Sequence, residues 1–211
     1  MRRILKTAVV TAILFIGATA AAFANEVSVT FVSANGHVQG GYATGPYHGY
    51  IVDDGHKYNT DLFCDDIMHS WGTTWDASVY SFDNLTGTRF YSLFGSNAMQ
   101  DYGEMAWLSE QMLKYPDQAG DIQFAIWSIP HPAVIGWDGY TAVSASWRAL
   151  AAERTYTPEM FRNLEILTPL DPSVHSPQEM IIPQPTPEPT SLILLGTGLL
   201  SLGAVVRKRR A

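Results

Sequence analysis

The spacing of hydrophobic and polar positions changes twice along the chain. Residues 26–33 alternate, with Val27, Val29 and Phe31 on one face, as a half-buried strand does. Residues 40–52 are rich in glycine and tyrosine (Tyr42, Tyr47, Tyr50) and read as strands joined by a turn at Gly45 and Pro46. Asp53, Asp54 and Gly55 mark a further turn, residues 78–82 a strand and residues 84–87 another turn. The period then lengthens. Met105, Leu108 and Met112 stand at i, i+3 and i+7 and predict an amphipathic helix over 99–115. Pro116 stops it, Asp117 is placed to cap a second helix running to Ile129, and Pro130 closes that one. The alanine-rich residues 141–153 predict a third helix, and Thr157 followed by Pro158 has the form of a helix start. Residues 164–167 and 179–182 return to short strands. Strands, then helices, then strands predict an α+β fold, with an antiparallel β core (sandwich or barrel-like) carrying a helical insertion.

Both ends lie outside this pattern. Arg2, Arg3 and Lys6 precede an apolar run over 8–18, and Ala22 and Ala24 flank Phe23 as a small-x-small cleavage site, so residues 1–24 read as a secretory signal peptide. At the other end, residues 183–189 form a Pro-rich spacer ending in Pro187, Glu188 and Pro189. Residues 190–206 contain no charge, and as a helix they would extend roughly 25 Å, enough for a thin transmembrane helix. Residues 207–211 follow with Arg207, Lys208, Arg209 and Arg210, the excess of basic residues expected on the cytoplasmic side of a span. Triplet, span and basic end in this order resemble the PEP-CTERM sorting signal of exported proteins. That resemblance implies recognition of Pro187, Glu188 and Pro189 by an exosortase-type sorting enzyme. It also implies membrane attachment through the C-terminal helix, transient or permanent, and a cell-surface or extracellular destination.

The body left between the ends, residues 25–182, is long enough for one extracellular domain with its own core. Seven of the thirteen Lys and Arg lie in the two ends. The remaining six face all twenty Asp and Glu, a net charge of −14 between Glu26 and Glu188. So acidic a body excludes nucleic acid and anionic membrane surfaces as partners, since both require a basic face. Six tryptophans and few charges exclude disorder.

Cys64 is the sole cysteine, so no internal disulfide forms, and the simplest expectation is a buried thiol acting as a small hydrophobe. Its surroundings allow a second reading. Phe63, Cys64, Asp65 and Asp66 form an aromatic-Cys-x-acid segment, and Gln123, Phe124, Ala125, Ile126 and Trp127 follow far downstream as Gln-x-Ala-Ile-Trp. The two segments resemble the signatures of the thioester domains of bacterial surface adhesins, although aspartate follows the cysteine where an apolar residue is expected. The resemblance implies that the Cys64 sulfur attacks the Gln123 carboxamide, releasing ammonia and leaving an internal thioester for a target amine to open. Phe63, Phe124 and Trp127 would be the apolar walls that exclude water. Gln123 also has two ordinary readings: a polar residue at the rim of a helix face, or a buried amide hydrogen-bonded to backbone.

Three weaker patterns complete the inventory. Asp53, Asp54, Asp65 and Asp66, with Asp61 among them, are a candidate Ca²⁺ cluster, but their spacing does not match the EF-hand loop and a solvated acidic turn explains them. His56 and His69 flank Cys64, the raw material of a Cys/His hydrolase or a zinc site, without the HxxxH spacing. His131, between two prolines, reads as a loop residue. No cofactor motif is present. The expected function is a non-catalytic structural or binding module of the surface or matrix, not an enzyme. The alternative is a covalent adhesin using Cys64 and Gln123, with a Cys/His hydrolase less favoured. Expected partners beyond the sorting enzyme are an extracellular polysaccharide or an amine-bearing surface target.

Overall fold

A computed structural model describes residues 25–35, 37–69, 72–173 and 175–184. The expected signal peptide, PEP triplet, membrane span and basic end lie outside them. Among the described residues no helix is long and apolar enough to cross a membrane.

Six antiparallel strands close into a barrel: β1 (Glu26–Ser33), β4 (Tyr47–Asp53), β5 (His56–Cys64), β6 (Thr74–Tyr80), β7 (Leu164–Pro169) and β8 (Met180–Pro183). They are ordered β1-β4-β5-β8-β7-β6, and β6 pairs back onto β1. β2 (Val38–Gln39) and β3 (Tyr42–Ala43) form a separate two-stranded hairpin. The helices enter between β6 and β7: α1 (Tyr91–Phe94), α2 (Ala98–Lys114), α3 (Ala119–Trp127) and α4 (Ala142–Ala152). The α+β expectation holds, and the β core is the barrel form.

Side-chain alternation divides the core in two. Val27, Val29, Ile51, Leu62, Leu167, Met180 and Ile182 point into the barrel. Phe63, Ile166 and Ile181, on the other face of the same strands, meet the helices. β8 is thus buried on both faces, which is why it reads as an unbroken apolar run. α3 is buried along most of its length and packs between α2 and α4. Its Phe124 and Trp127 belong to the barrel-interior cluster, while its Ile122, Ala125 and Ile126 belong to the helical one. The helix therefore stops one end of the barrel.

Local chemistry explains the joints. Asp54 and Gly55, at φ 49° and 81°, turn β4 into β5 with the paired positive φ that suits the twist of a hairpin. Thr141 caps α4 by accepting from the backbone N–H of Val143 and Ser144, while the Ser144 hydroxyl accepts from the Thr141 N–H, a full capping box. Three expectations are corrected. The solvated acidic turn expected of the aspartates over 53–66 is instead a tight turn followed by β5, with Asp65 and Asp66 fully buried beyond it. The strand expected at 78–82 starts earlier, as β6. Asp117 does not cap α3: it sits in a 3₁₀ turn (Pro116–Gln118), and α3 begins after Gln118 with no side-chain cap.

Candidate functional site

β5 ends with Cys64, paired to Met180 and facing the barrel interior where α3 closes it. One turn of α3 brings Gln123 to the same place. Its carboxamide is fully buried. Nε2 donates to the Cys64 carbonyl at 2.6 Å, and Oε1 accepts from the Gly45 backbone N–H at 3.2 Å. A backbone acceptor on one side and a backbone donor on the other fix which atom is nitrogen and which is oxygen. Gln123 is thus a buried amide satisfied by backbone, and the same bonds hold its side chain against Cys64.

The Cys64 sulfur lies beside this amide and is in no disulfide. Cys64 is fully buried and donates to the Asp66 carbonyl at 3.4 Å. Burial pushes its pKa well above the ordinary value, with the charges of Asp66 and Asp65 adding to the shift and the Trp127 indole opposing it. Of the three expected walls, Phe124 and Trp127 pack in the Cys64 cluster, with ring centroids 5.2 Å apart. Phe63 does not: one residue earlier on the strand, it faces the helices instead.

Next to this pair lies a set of buried charges. Asp65 and Glu179 immediately flank the paired residues Cys64 and Met180, and both are fully buried where the barrel meets the helices. Glu179 accepts from the Tyr102 hydroxyl at 2.6 Å, from the Arg89 backbone N–H at 2.8 Å, and from the Thr168 hydroxyl. Asp66 pairs with the Arg89 guanidinium, which also donates to the Pro177 carbonyl at 3.0 Å and the Ser176 hydroxyl at 2.8 Å. His69 Nδ1 stands 2.8 Å from Asp66 Oδ1, and His131 Nε2 3.6 Å from it, an ion-pair distance rather than a hydrogen bond. Burial raises the Asp66 pKa, but the two histidines and Arg89 outweigh it and hold the group at about 2.

Asp65 has no such partners: neither of its carboxylate oxygens accepts a hydrogen bond from any described group. Burial first, then the charges of Glu179 and Asp66, push its pKa well up, and burial raises Glu179 too. A carboxyl whose proton affinity is higher in the folded state stabilises the fold below its unfolded pKa. That contribution is lost as pH rises toward the folded value. Asp65→Asn is therefore expected to raise stability at pH 7 by roughly 1–3 kcal/mol and to change it less near pH 4. Urea titrations at the two pH values measure this, and an unchanged midpoint at pH 7 would mean that the carboxyl is already solvated.

The remaining candidates are dispersed. Asp53 and Asp54 lie at the β4–β5 turn, while Asp65 and Asp66 follow the other end of β5, about 26 Å away along the strand. The four do not converge, and among the described residues no three His, Cys, Asp or Glu side chains could hold a metal ion. His56 is at the far end of β5 from Cys64, and His69 is turned to Asp66. His131 is in a loop, as expected, with its ring edge-on to Phe90. Sequence reading missed Arg89, Tyr102, Glu179 and Gly45. Arg89 and Glu179 left a faint signal: one of only six basic residues in the body, and a carboxylate opening an apolar strand.

No curated protein and no solved structure matches the chain. Residues 185–210 match the family model described as the PEP-CTERM protein-sorting motif. The motif marks the chain for export and for processing by an exosortase, with a cell-surface or extracellular destination.

Proposed function

We propose that the exported body is a non-catalytic binding module of the cell surface or extracellular matrix. The observation that carries this reading is the setting of Cys64: its sulfur is buried against a backbone carbonyl, and His69 turns to Asp66 rather than to it. A cysteine hydrolase needs an imidazole within hydrogen-bond reach of its nucleophile. Its acidic surface suits a hydrated matrix. Fractionation of cells expressing the full-length chain tests delivery. The body should appear at the surface or in the medium and stay with the cell membrane when Pro187, Glu188 and Pro189 are all changed to alanine. Unaltered release by that variant would overturn the sorting role of the triplet.

A second reading makes the binding covalent, and the direct contact between Gln123 and Cys64 favours it. A thiolate is costly in this site, whereas a thioester is neutral and suits a buried apolar setting. By this reading Cys64 and Gln123 form an internal thioester that a lysine or other amine on a surface target opens, attaching the protein once. The intact mass of the exported protein should be short by one ammonia. Methylamine should convert that species to its adduct, and Cys64→Ala should show neither change. A native protein whose thiol titrates fully with a maleimide would sink this reading and leave the non-covalent one.

A further inference from the structure

The β2–β3 hairpin belongs to neither the barrel nor the helical bundle, yet it is pinned at several points over the Cys64–Gln123 pair. Gln39 Nε2 donates to Asp121 Oδ1 at 3.0 Å and to the Gly139 carbonyl at 2.7 Å. Asp121 Oδ1 in turn accepts from the hydroxyls of Thr141 at 2.5 Å and Ser144 at 3.0 Å, so the hairpin is tied to the cap of α4. The Tyr42 ring stacks on Trp137 at 5.1 Å and meets the edges of Phe124 and Trp127 at 6.0 and 6.3 Å. The strap delivers one group to the buried pair, the Gly45 N–H on Gln123 Oε1. Only a glycine permits this approach: a Cβ at position 45 would stand 2.9 Å from that same oxygen.

We propose that the Gly45 backbone N–H is the oxyanion donor for acyl transfer at Gln123, pre-set by the β2–β3 strap. The proposal rests on the thioester reading and adds to it the group that stabilises the transition state. In the forming step Cys64 Sγ attacks Gln123 Cδ. The C–S bond forms, the C–Nε2 bond breaks, and ammonia leaves with the thiol proton. In the opening step an amine nitrogen attacks Cδ, the C–N bond forms, the C–S bond breaks, and a proton from the amine restores the thiol. Both steps pass through a tetrahedral carbon with negative charge on Oε1, where a fixed donor in a water-free site acts most strongly. The Cys64 carbonyl, accepting from Nε2, orients the leaving nitrogen in the forming step.

The test uses protein exported from cells expressing the full-length chain. In Gly45→Ala, both the appearance of the ammonia-deficient species and its opening by methylamine should slow roughly a hundredfold in the folded protein, whose thermal midpoint should also fall as the new Cβ displaces Oε1. The wild-type protein supplies a second measurement that needs no variant. With carbon-13 in its glutamine side chains, its thioester carbonyl band should lie at lower frequency than that of a simple thioester in an apolar solvent. Equal rates in a folded Gly45→Ala protein, or an unshifted wild-type band, would overturn the role of Gly45 while the thioester stood. A wild-type protein that never loses ammonia would overturn both. Should Gly45→Ala fail to fold, the wild-type band decides alone.

Discussion

Replacing Arg89 with methionine is expected to destabilise the protein by about 3–5 kcal/mol at neutral pH, the cost of leaving a buried charge without its partner. Among the described residues Arg89 is the only Lys or Arg paired with Asp66, and its charge also acts on Asp65 and Glu179. Its three donated contacts from the guanidinium join the segment after β5 to the one leading into β8. The loss should depend on pH, with a definite sign. Asp66, held at about 2 in the native protein, contributes stability above its unfolded pKa that fades as pH falls through about 2. Without Arg89 its folded pKa rises and that contribution shrinks, so the variant should lose most at pH 7 and clearly less near pH 2. Urea unfolding at both values gives the comparison. An equal loss at each would show that Arg89 acts through packing alone.

Trp127→Ala is the second large effect. The side chain is fully buried, lies against Phe124 and Tyr42, and seals the barrel end over Cys64. Truncation should cost about 3–5 kcal/mol through the cavity it leaves, with Trp127→Phe costing clearly less. It should also open a path to the sulfur. Whether Cys64 begins as a free thiol or as a thioester that water then hydrolyses, the fraction labelled by maleimide under native conditions should rise. A destabilised variant with unchanged labelling would mean that Trp127 supports the fold without shielding the site.

Much of the fold was legible in the sequence because its signals were local. Met105, Leu108 and Met112 marked the buried face of α2, Thr141 opened α4, and the alternation of Val27 and Val29 identified β1. β5 was not legible, since its first six residues are polar apart from Tyr58 and carry no clear period, and its strand character comes from pairing with β4 over residues 56–62. The candidate pair was legible only as two short motifs. What joins them is long-range: α3 must close the barrel before Gln123 can reach the Cys64 carbonyl, 59 positions earlier. Gly45 was legible as a turn residue, but its N–H gains a role only when the hairpin folds back over α3. The charged set around Asp66 was hidden for a similar reason. Residues 66, 89, 131 and 179 are scattered in sequence and meet only where barrel and helices join.

The barrel also has a direction. β1 begins and β8 ends at the same rim as the β4–β5 turn, where Asn25 donates to Asp53 at 2.9 Å and Gln184 to Glu165 at 3.1 Å. Cys64, Gln123 and Gly45 occupy the opposite rim. The last described residue, Gln184, therefore lies at the end remote from the pair. Anything bound at the Gln184 end would leave the Cys64 rim uncovered.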